Sequence, residues 1–429
     1  GEGWQARLRE SASRGPTERF LARVRDQVLA RSTDGSSEFG LECPTDEPGA
    51  PLLEAAAALA RALDDLGRAL EELIAAITAR LDDRAVDLDG PTRLRLDAAR
   101  RGLAWRLATV KQGWRPMLAD LRAGTPPDRV DWFGLEREAG REVDVGLYRH
   151  LVDPTRAFAG AVLSRAHGAI VTSATLRDRD PKLPEAERED WRAAELRTGA
   201  HHLPLPAKRV SVASPFDYAA RARVFVVTDV PGDKPDLVAQ AYRELFLAAG
   251  GGALGLFTAI RRLRAVHQAI AKPLEAAGLP LYAQHVDPLD VGTLVDIFRA
   301  ETESCLLGTD AVRDGVDVPG KSLRLIVFDR VPWPRPDLLH KARRKAFGGK
   351  AWDDRLVRLR LSQAFGRLIR RKDDAGVFVM LDRRLPSRLL GAFPPAVPVA
   401  RVDLKTALAE TRAFLGGHFP GLPAPPGSA

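Results

Sequence analysis

The sequence predicts an α/β protein whose later part forms a parallel sheet and whose first part is helical. From about Arg221 onward, strand-like apolar runs alternate with amphipathic stretches, which is typical of a parallel sheet with helices on both faces. Residues 51–84, PLLEAAAALARALDDLGRALEELIAAITARLDDR, are rich in Ala and Leu and follow the helical period. No apolar run approaches the roughly 18 residues that a membrane span needs.

Helices are expected through most of the first 125 residues. Apolar residues at helical spacing indicate a helix within residues 1–40, namely Phe20, Leu21, Val24 and Val28. ECPTDEPGAP then follows as a loop, and after the long Ala/Leu-rich helix a further helix is expected over 91–123. The short linker DRAVDLDG predicts that these last two helices form an antiparallel pair.

The pattern changes to strands after residue 124. TPPDRVDWFGLEREAGREVDVGLYRHL predicts short strands with turns, a helix is expected near 153–164, and GAIVTSATL predicts a buried strand. The later strands are expected in ARVFVVTD, GALGLFTAI, SCLLGTD, LRLIVFDR and GVFVMLDRR. Parallel sheets bind ligands beyond the carboxyl ends of their strands, where this chain carries hydroxyls, aspartates and arginines. The Pro/Gly-rich tail from Gly416 is expected to be disordered.

The charge of the chain is uneven. Lys and Arg number 65 against 57 Asp and Glu, and the stretch from Lys321 to Arg384 alone holds 18 basic against 7 acidic residues. This excess predicts a phosphate-bearing partner, nucleic acid first and nucleotide second. The alternative is a basic surface that only keeps the protein soluble.

The cysteines and histidines predict no metal site. Cys43 and Cys305 are far apart and lack a metal-ligand spacing, and the eight histidines form no ligand pattern. Two isolated cysteines favour a reducing cytoplasm. The chain also begins with Gly rather than Met, so we do not expect this to be the natural start.

The segment SQAFGRLIRR, residues 362–371, carries charges in an unusual pattern. Gln363, Arg367 and Arg370 stand at i, i+4 and i+7, so a helix would align them in one stripe without a nearby acid in the sequence. The apolar residues would gather roughly opposite: Leu361, Ala364, Phe365 and Leu368. The stripe predicts an anion site, and a plain basic face of an amphipathic helix is the alternative.

GVDVPGKS, residues 315–322, formally matches a phosphate-binding P-loop, which would make Lys321 the phosphate ligand of a kinase-like enzyme. A P-loop must follow a strand and open a helix, whereas Pro319 interrupts its backbone donors and SLRLIVFD predicts a strand afterwards. A tight, glycine-containing loop between two strands is the better interpretation. Its aspartates could accept hydrogen bonds from a sugar or pair with an arginine.

Four segments, taken in order, resemble motifs of the superfamily 2 helicases of the DinG/XPD family, and specifically of bacterial DinG-like proteins. VTSATL is similar to motif III, LGLFTAI to motif IV, GTDAVRDGVDVPG to motif V and QAFGRLIRR to motif VI. The resemblance implies an ATP-dependent helicase that moves 5′ to 3′ on single-stranded DNA, with ATP between two RecA-like domains. The strand-like segment DAGVFVMLDRR, which follows motif VI, agrees with this resemblance.

The resemblance also assigns roles to individual residues. Both arginines of the stripe would touch the γ-phosphate and stabilise the charge that develops as it leaves. The implied nucleotide residues are Gln363, Arg367, Arg370, Gly308, Asp314, Gly315 and Asp317. Thr172, Ser173 and Thr175 would link nucleotide state to domain movement, and Thr258 with Arg261 would hold the DNA backbone.

The implied domains are a helical arch-like region (1–125), the end of the first RecA-like domain (126–215), the second RecA-like domain (216–415) and a disordered tail (416–429). The chain lacks a P-loop in a strand–loop–helix setting, an Asp-Glu-x-His box and the four cysteines of the family's iron–sulfur cluster. We therefore expect the C-terminal portion of a helicase, or a split subunit, that binds Mg-ATP incompletely by itself. Its partners would be single-stranded DNA, ATP and the missing first-domain segment in cis or in trans. A non-enzymatic nucleic-acid-binding or regulatory module is the alternative.

Overall fold

A computed structural model of the chain describes residues 15–32, 40–83, 88–138, 140–179, 189–315 and 317–421. Its strands are β1 (Leu41–Pro44), β2 (Arg129–Glu138), β3 (Arg141–Leu151), β4 (Asp178–Arg179), β5 (Glu189–Asp190), β6 (Ala222–Val227), β7 (Ala253–Leu256), β8 (Leu281–Ala283), β9 (Cys305–Gly308), β10 (Leu325–Phe328), β11 (Gly376–Met380) and β12 (Val399–Val402).

The α-helices are α1 (Pro16–Arg31), α2 (Ala50–Asp82), α3 (Gly90–Ala108), α4 (Arg115–Ala123), α5 (Pro154–Ala161), α6 (Arg192–Thr198), α7 (Tyr218–Arg221), α8 (Pro235–Ala249), α9 (Ile260–Ala276), α10 (Val291–Ala300), α11 (Asp310–Gly315), α12 (Leu338–Ala346), α13 (Lys350–Phe365) and α14 (Leu404–His418). Among the described residues, no helix is both long and apolar enough to cross a membrane.

One compact unit consists of Gly1–Pro154 together with Arg335–Phe347. In it, β1, β2 and β3 form an antiparallel sheet, and apolar side chains of α1, α2 and the sheet make a common core. The helix α12 belongs to this unit, since the Leu338 N–H donates to Glu42 and the Arg343 guanidinium donates to the carbonyls of Leu151 and Val152.

Two elements of this unit differ from the expectation. ECP is not part of a loop, because Leu41–Pro44 pairs with β2 and buries Cys43 in the core. The helix expected over 91–123 contains a π-helical turn, Thr109–Trp114, between α3 and α4. The strand depends on pairing with β2, far along the chain, which a local sequence pattern does not report.

The second compact unit, Thr155–Pro334 with Gly348–Ala429, contains a seven-stranded parallel sheet. Its strand order is β12-β6-β11-β10-β7-β9-β8, and each neighbouring pair runs parallel. The central strands are buried throughout, because two apolar clusters cover the two faces of the sheet. The predicted α/β parallel-sheet fold of the RecA-like type is confirmed, and the five strands expected after residue 220 form as predicted.

A buried arginine, Arg324, lies at the amino edge of this sheet, immediately before β10. Arg324 is fully buried, and its guanidinium donates to the carbonyl oxygens of Ala249 (2.8 Å), Gly250 (2.5 Å), Thr302 (2.8 Å) and Lys321 (2.5 Å). Burial lowers the pKa of Arg324 to about 10. The side chain therefore joins the end of α8 to the chain segments that precede β9 and β10.

The basic stretch from Lys321 to Arg384 is divided between the two compact units. Arg335 and the helix α12, with Lys341, Arg343, Arg344 and Lys345, belong to the first unit, and the remaining basic residues belong to the second. Several of the latter are engaged in buried contacts, Arg324 among them. The helix α14 extends through His418, so the first three residues of the expected tail are helical, and residues 422–429 lie outside the described residues. The helicase-domain bounds at 125, 215 and 415 stay a prediction.

Candidate functional site

The glutamine–arginine segment leaves the helix before its two key arginines. The helix α13 ends at Phe365, and Gly366 caps it with an N–H that donates to the Ser362 carbonyl at 2.9 Å. The prediction of one helical stripe is therefore wrong for Arg367 and Arg370, which lie in the following turn. Gln363 keeps its place in the last helical turn and is half-buried.

The turn forms because a side-chain acceptor competes with helix continuation. Leu368 and Ile369, which lie in the turn, are both buried. The backbone N–H groups of Arg370 and Arg371 each donate to Asp374 Oδ2 at 2.7 Å. A continued helix would instead have used those donors on carbonyls four residues earlier.

Asp374 was missed by the sequence analysis, although it holds two of the predicted segments together. Its carboxylate is almost fully buried, and Oδ1 accepts the N–H of Gly320 at 3.0 Å. One carboxylate thus receives donors from the end of the motif V segment and from the motif VI turn. The available signal was an acidic residue just before an apolar strand, in DAGVFVM.

Arg370 and Asp317, both predicted site residues, meet in space. Arg370 Nε lies 3.5 Å from Asp317 Oδ1, and the two side chains are 35% and 69% exposed. No acidic residue lies between Asp354 and Asp373 in the sequence, yet Asp317 approaches Arg370 in the folded chain. The Asp317 carbonyl oxygen accepts a hydrogen bond from Arg299 Nε at 3.0 Å, which fixes the backbone of this loop.

The other motif V residues lie at different places. Gly308 ends β9 at the carboxyl edge of the sheet, and a Cβ there would come within 2.5 Å of Val312. Asp314 and Gly315 lie in α11, and their side chains fall outside the described residues. The chain returns through α11 toward the amino edge, so Gly308 and Asp317 are on opposite edges of the sheet.

Lys321 does not lie in a P-loop. Gly320–Ser322 form a single 3-10 turn, which leads into β10 rather than into an α-helix. Within the described residues 317–322, no run of consecutive N–H groups opens an α-helix in the way that cradles a phosphate. The kinase-like hypothesis for Lys321 is wrong for this geometric reason.

Thr258 and Arg261 follow β7 at the carboxyl edge and are both exposed. The Thr258 N–H donates to Asp329 Oδ1 at 3.3 Å, and Arg262 Nε donates to Asp329 Oδ2 at 2.6 Å. Burial raises the pKa of Asp329, and the ion pair with Arg262 opposes that shift. Sequence reasoning missed Arg262 and Asp329, which hold the turn that presents Thr258 and Arg261.

The expected strand GAIVTSATL does not form. Residues 168–173 are irregular, and Ile170 and Val171 are 96% and 51% exposed. A strand requires a neighbour for its backbone groups, and within the described parts of the chain none lies beside this segment. Thr172 and Ser173 therefore lie in the irregular stretch and Thr175 in the turn that follows it, and Ser173 Oγ accepts the Thr175 N–H at 3.1 Å.

The end of this segment is nevertheless attached to the helix that leads to motif VI. Arg197 donates to the carbonyls of Thr175 (2.9 Å) and Leu176 (2.8 Å), and burial lowers the pKa of Arg197. Arg358 of α13 binds both oxygens of Asp178, at 2.7 and 2.5 Å. The motif III and motif VI segments are thus linked through buried ion pairs and hydrogen bonds.

The later part of the chain is similar to known helicases. Residues 242–398 match the model of the family described as "Helicase C-terminal domain". The ATP-dependent helicase DinG of Mycobacterium tuberculosis strain H37Rv is 33% identical over 280 residues, which cover 62% of this chain and 40% of that protein. The 3'-5' exonuclease DinG of Bacillus subtilis is 26% identical over 318 residues, or 70% of this chain and 32% of the relative.

Among solved structures, Xpd4 of S. tokodaii matches with 12% identity and a TM-score of 0.45, over 92% of this chain and 67% of that one. The chain spans less than half of the length of the two curated relatives. Residues 242–398 of the chain therefore match a helicase C-terminal domain, and a longer part of the chain is similar to the DinG proteins of M. tuberculosis and B. subtilis.

Proposed function

We propose that this chain is the C-terminal portion of an ATP-dependent helicase that moves 5′ to 3′ along single-stranded DNA and unwinds duplexes. In this proposal the amino edge of the sheet faces ATP and the carboxyl edge faces DNA. The observation that carries it is the convergence of Arg370, Asp317 and Asp374 from two separate segments at one edge. The named activity of helicase relatives supports the same assignment.

Arg370 is suited to contact a phosphate that arrives from outside the chain. Its exposed ion pair with Asp317 is worth only about 0–1 kcal/mol, so a phosphate can replace that carboxylate at little cost. A guanidinium offers a planar pair of donors to phosphate oxygens and stabilises charge that develops on them. We assign the same role to Arg367 and a supporting nucleotide contact to Gln363.

The remaining nucleotide contacts are assigned to the motif V segment. Asp317 would bind the ribose or transmit movement between domains once Arg370 turns to phosphate. Gly308, Asp314 and Gly315 would shape the segment so that it reaches from one edge of the sheet to the other. The Mg²⁺ ligands and the primary phosphate site would come from a first RecA-like segment, in cis or in trans, and this chain would bind no iron–sulfur cluster.

Thr172, Ser173 and Thr175 would transmit nucleotide state in this proposal. The Thr175 carbonyl is tied to Arg197, and Asp178 is tied to Arg358 on α13. A displacement of this segment would therefore be transmitted to α13, which ends shortly before Arg367 and Arg370. The exposed apolar side chains of Ile170 and Val171 support burial of the segment against the first RecA-like domain.

The chain alone is expected to hydrolyse ATP at a negligible rate, because Arg367 and Arg370 act on a transition state whose other ligands it lacks. Steady-state phosphate release with and without single-stranded DNA measures this. Lys321→Ala serves as the control and should change nothing. Turnover at ordinary helicase rates that Lys321→Ala abolishes would contradict the proposal.

DNA binding at the carboxyl edge gives a separate prediction. Arg261→Ala should weaken binding of single-stranded DNA and reduce the slope of log affinity against log salt by about one, because one phosphate contact is lost. Fluorescence anisotropy over a salt series measures both quantities. Arg243→Ala, which removes a surface arginine paired with Glu244, is the matched control and should leave the slope unchanged. If both variants showed the same slope, Arg261 would not be a contact of the DNA phosphate backbone.

A further inference from the structure

We propose that Asp374 is a positioning residue that holds the motif V loop and the motif VI turn in one arrangement and thereby aims Arg370 at the nucleotide. This inference rests on the proposed function, since it concerns the same site. Its structural basis is the set of three backbone N–H groups that converge on one carboxylate. These donors come from two segments, and Gly320 lies 54 positions before Asp374 in the chain.

The geometry uses both oxygens of the carboxylate. Oδ2 accepts two N–H groups at 2.7 Å, and Oδ1 accepts one at 3.0 Å, while the residue is only 3% exposed. An ionised carboxylate offers acceptor sites only, so it satisfies three donors at once. An amide in the same place would turn an NH₂ group toward at least one N–H, because only one of its two polar atoms is an acceptor.

The two sides of this link fix different parts of the site. On one side, consecutive N–H groups of Arg370 and Arg371 determine the orientation of the peptides from which the Arg370 side chain leaves. On the other side, Gly320 has φ +80°, a left-handed conformation that glycine adopts without strain. In this conformation its N–H points at Asp374, which anchors the loop that carries Asp317.

Asp374 does not need to touch the nucleotide to matter. Without the link, the turn at 366–371 and the loop at 317–322 would move independently, and Arg370 would sample many directions. A catalytic donor gains its effect from being held in place before the reaction, so a loss of order lowers turnover. We therefore expect Asp374 to act through Arg370.

Hydrogen exchange of the chain tests the structural step without any assay of activity. Asp374→Asn should accelerate amide exchange by at least about tenfold in peptides that cover 317–322 and 367–375, because local opening becomes easier. Peptides from β7 should keep their exchange rates. Asp373→Asn is the matched control, since Asp373 is the exposed neighbour of the same type, and it should leave both loops unchanged. Unchanged exchange in both loops of Asp374→Asn would overturn the inference.

A double-mutant cycle tests the functional step in the full-length protein that contains this chain. Asp374→Asn should lower kcat for DNA-stimulated ATP hydrolysis by about ten- to a hundredfold, with little change in DNA affinity. In an Arg370→Ala background the same substitution should have almost no further effect, because both act through one contact. If Asp374 had a purely structural role, Asp374→Asn would lower kcat by the same factor in both backgrounds. That result would overturn the proposal.

The failure of this inference differs from the failure of the proposed function. If Arg370→Ala leaves turnover intact, the proposed role of the arginine is wrong, whatever Asp374 does. If Arg370→Ala slows turnover and Asp374→Asn does not, only the positioning role is wrong. Should Asp374→Asn fail to fold, Asp374→Glu keeps the charge and is measured in the same way. Faster exchange in the two loops alone supports the inference, and unchanged or domain-wide exchange overturns it.

Discussion

Arg370→Ala is expected to lower kcat for DNA-stimulated ATP hydrolysis by at least about a hundredfold in the full-length protein, because an arginine on the transferred phosphate supplies large transition-state stabilisation. The affinity for single-stranded DNA should stay nearly the same, since Arg370 lies at the amino edge of the sheet and not at the edge we assign to DNA. Steady-state hydrolysis and DNA anisotropy, measured on the same preparation, give the two values. Arg367→Ala should behave alike.

The matched control is Arg371→Ala. Arg371 is the next residue and is exposed, and its backbone N–H to Asp374 survives the substitution. We therefore expect kcat of this variant to stay close to that of the unaltered protein. If all three alanine variants weakened DNA binding by similar modest amounts and spared kcat, the segment would be a general basic surface.

Lysine substitutions separate charge from geometry at these positions. Arg370→Lys and Arg367→Lys keep the positive charge but lose the planar pair of donors that fits phosphate oxygens. Both should remain clearly impaired in kcat. Full turnover by both lysine variants would contradict the bidentate phosphate role.

Arg324→Ala is expected to reduce the free energy of unfolding of the second compact unit by about 3–5 kcal/mol, because it removes the donor from two buried and two part-buried carbonyl oxygens and opens a cavity. Four carbonyls lose their partner at once, at the end of α8 and before β9 and β10. Denaturant unfolding of the chain, followed by circular dichroism, measures the loss. The free energy of unfolding of Arg324→Lys should lie between those of Arg324→Ala and the unaltered protein, since an ammonium group cannot reach all four acceptors.

Arg264→Ala is the control for this experiment. Arg264 also donates to a backbone carbonyl, that of His285, but its side chain is exposed to solvent. Water can replace that donor, so the expected loss is below about 1 kcal/mol. Equal losses for Arg264→Ala and Arg324→Ala would show that the buried contacts of Arg324 contribute no more than surface ones.

The candidate site was predictable in its residue types and only partly in its geometry. Arg370 and Asp317 were both expected in one site, and Arg370 Nε lies 3.5 Å from Asp317 Oδ1. Asp374 was not expected, because its three partners are backbone groups, which leave no pattern of side chains in the sequence. The helical spacing of Gln363, Arg367 and Arg370 was a coincidence of period, since the helix ends at Phe365.

The sequence by itself determined which parts of the chain become helices and central strands. The long Ala/Leu-rich segment became α2, and the apolar runs became β6, β7, β9, β10 and β11, because local period and hydrophobicity dictate these elements. Tertiary structure alone decided where distant backbone groups find partners. It placed Leu41–Pro44 beside β2 as an edge strand, left GAIVTSATL without a neighbouring strand within the described residues, and joined Asp374 to Gly320, 54 positions earlier. Each of these outcomes depends on whether residues far apart in the chain form hydrogen bonds, which a local pattern does not encode.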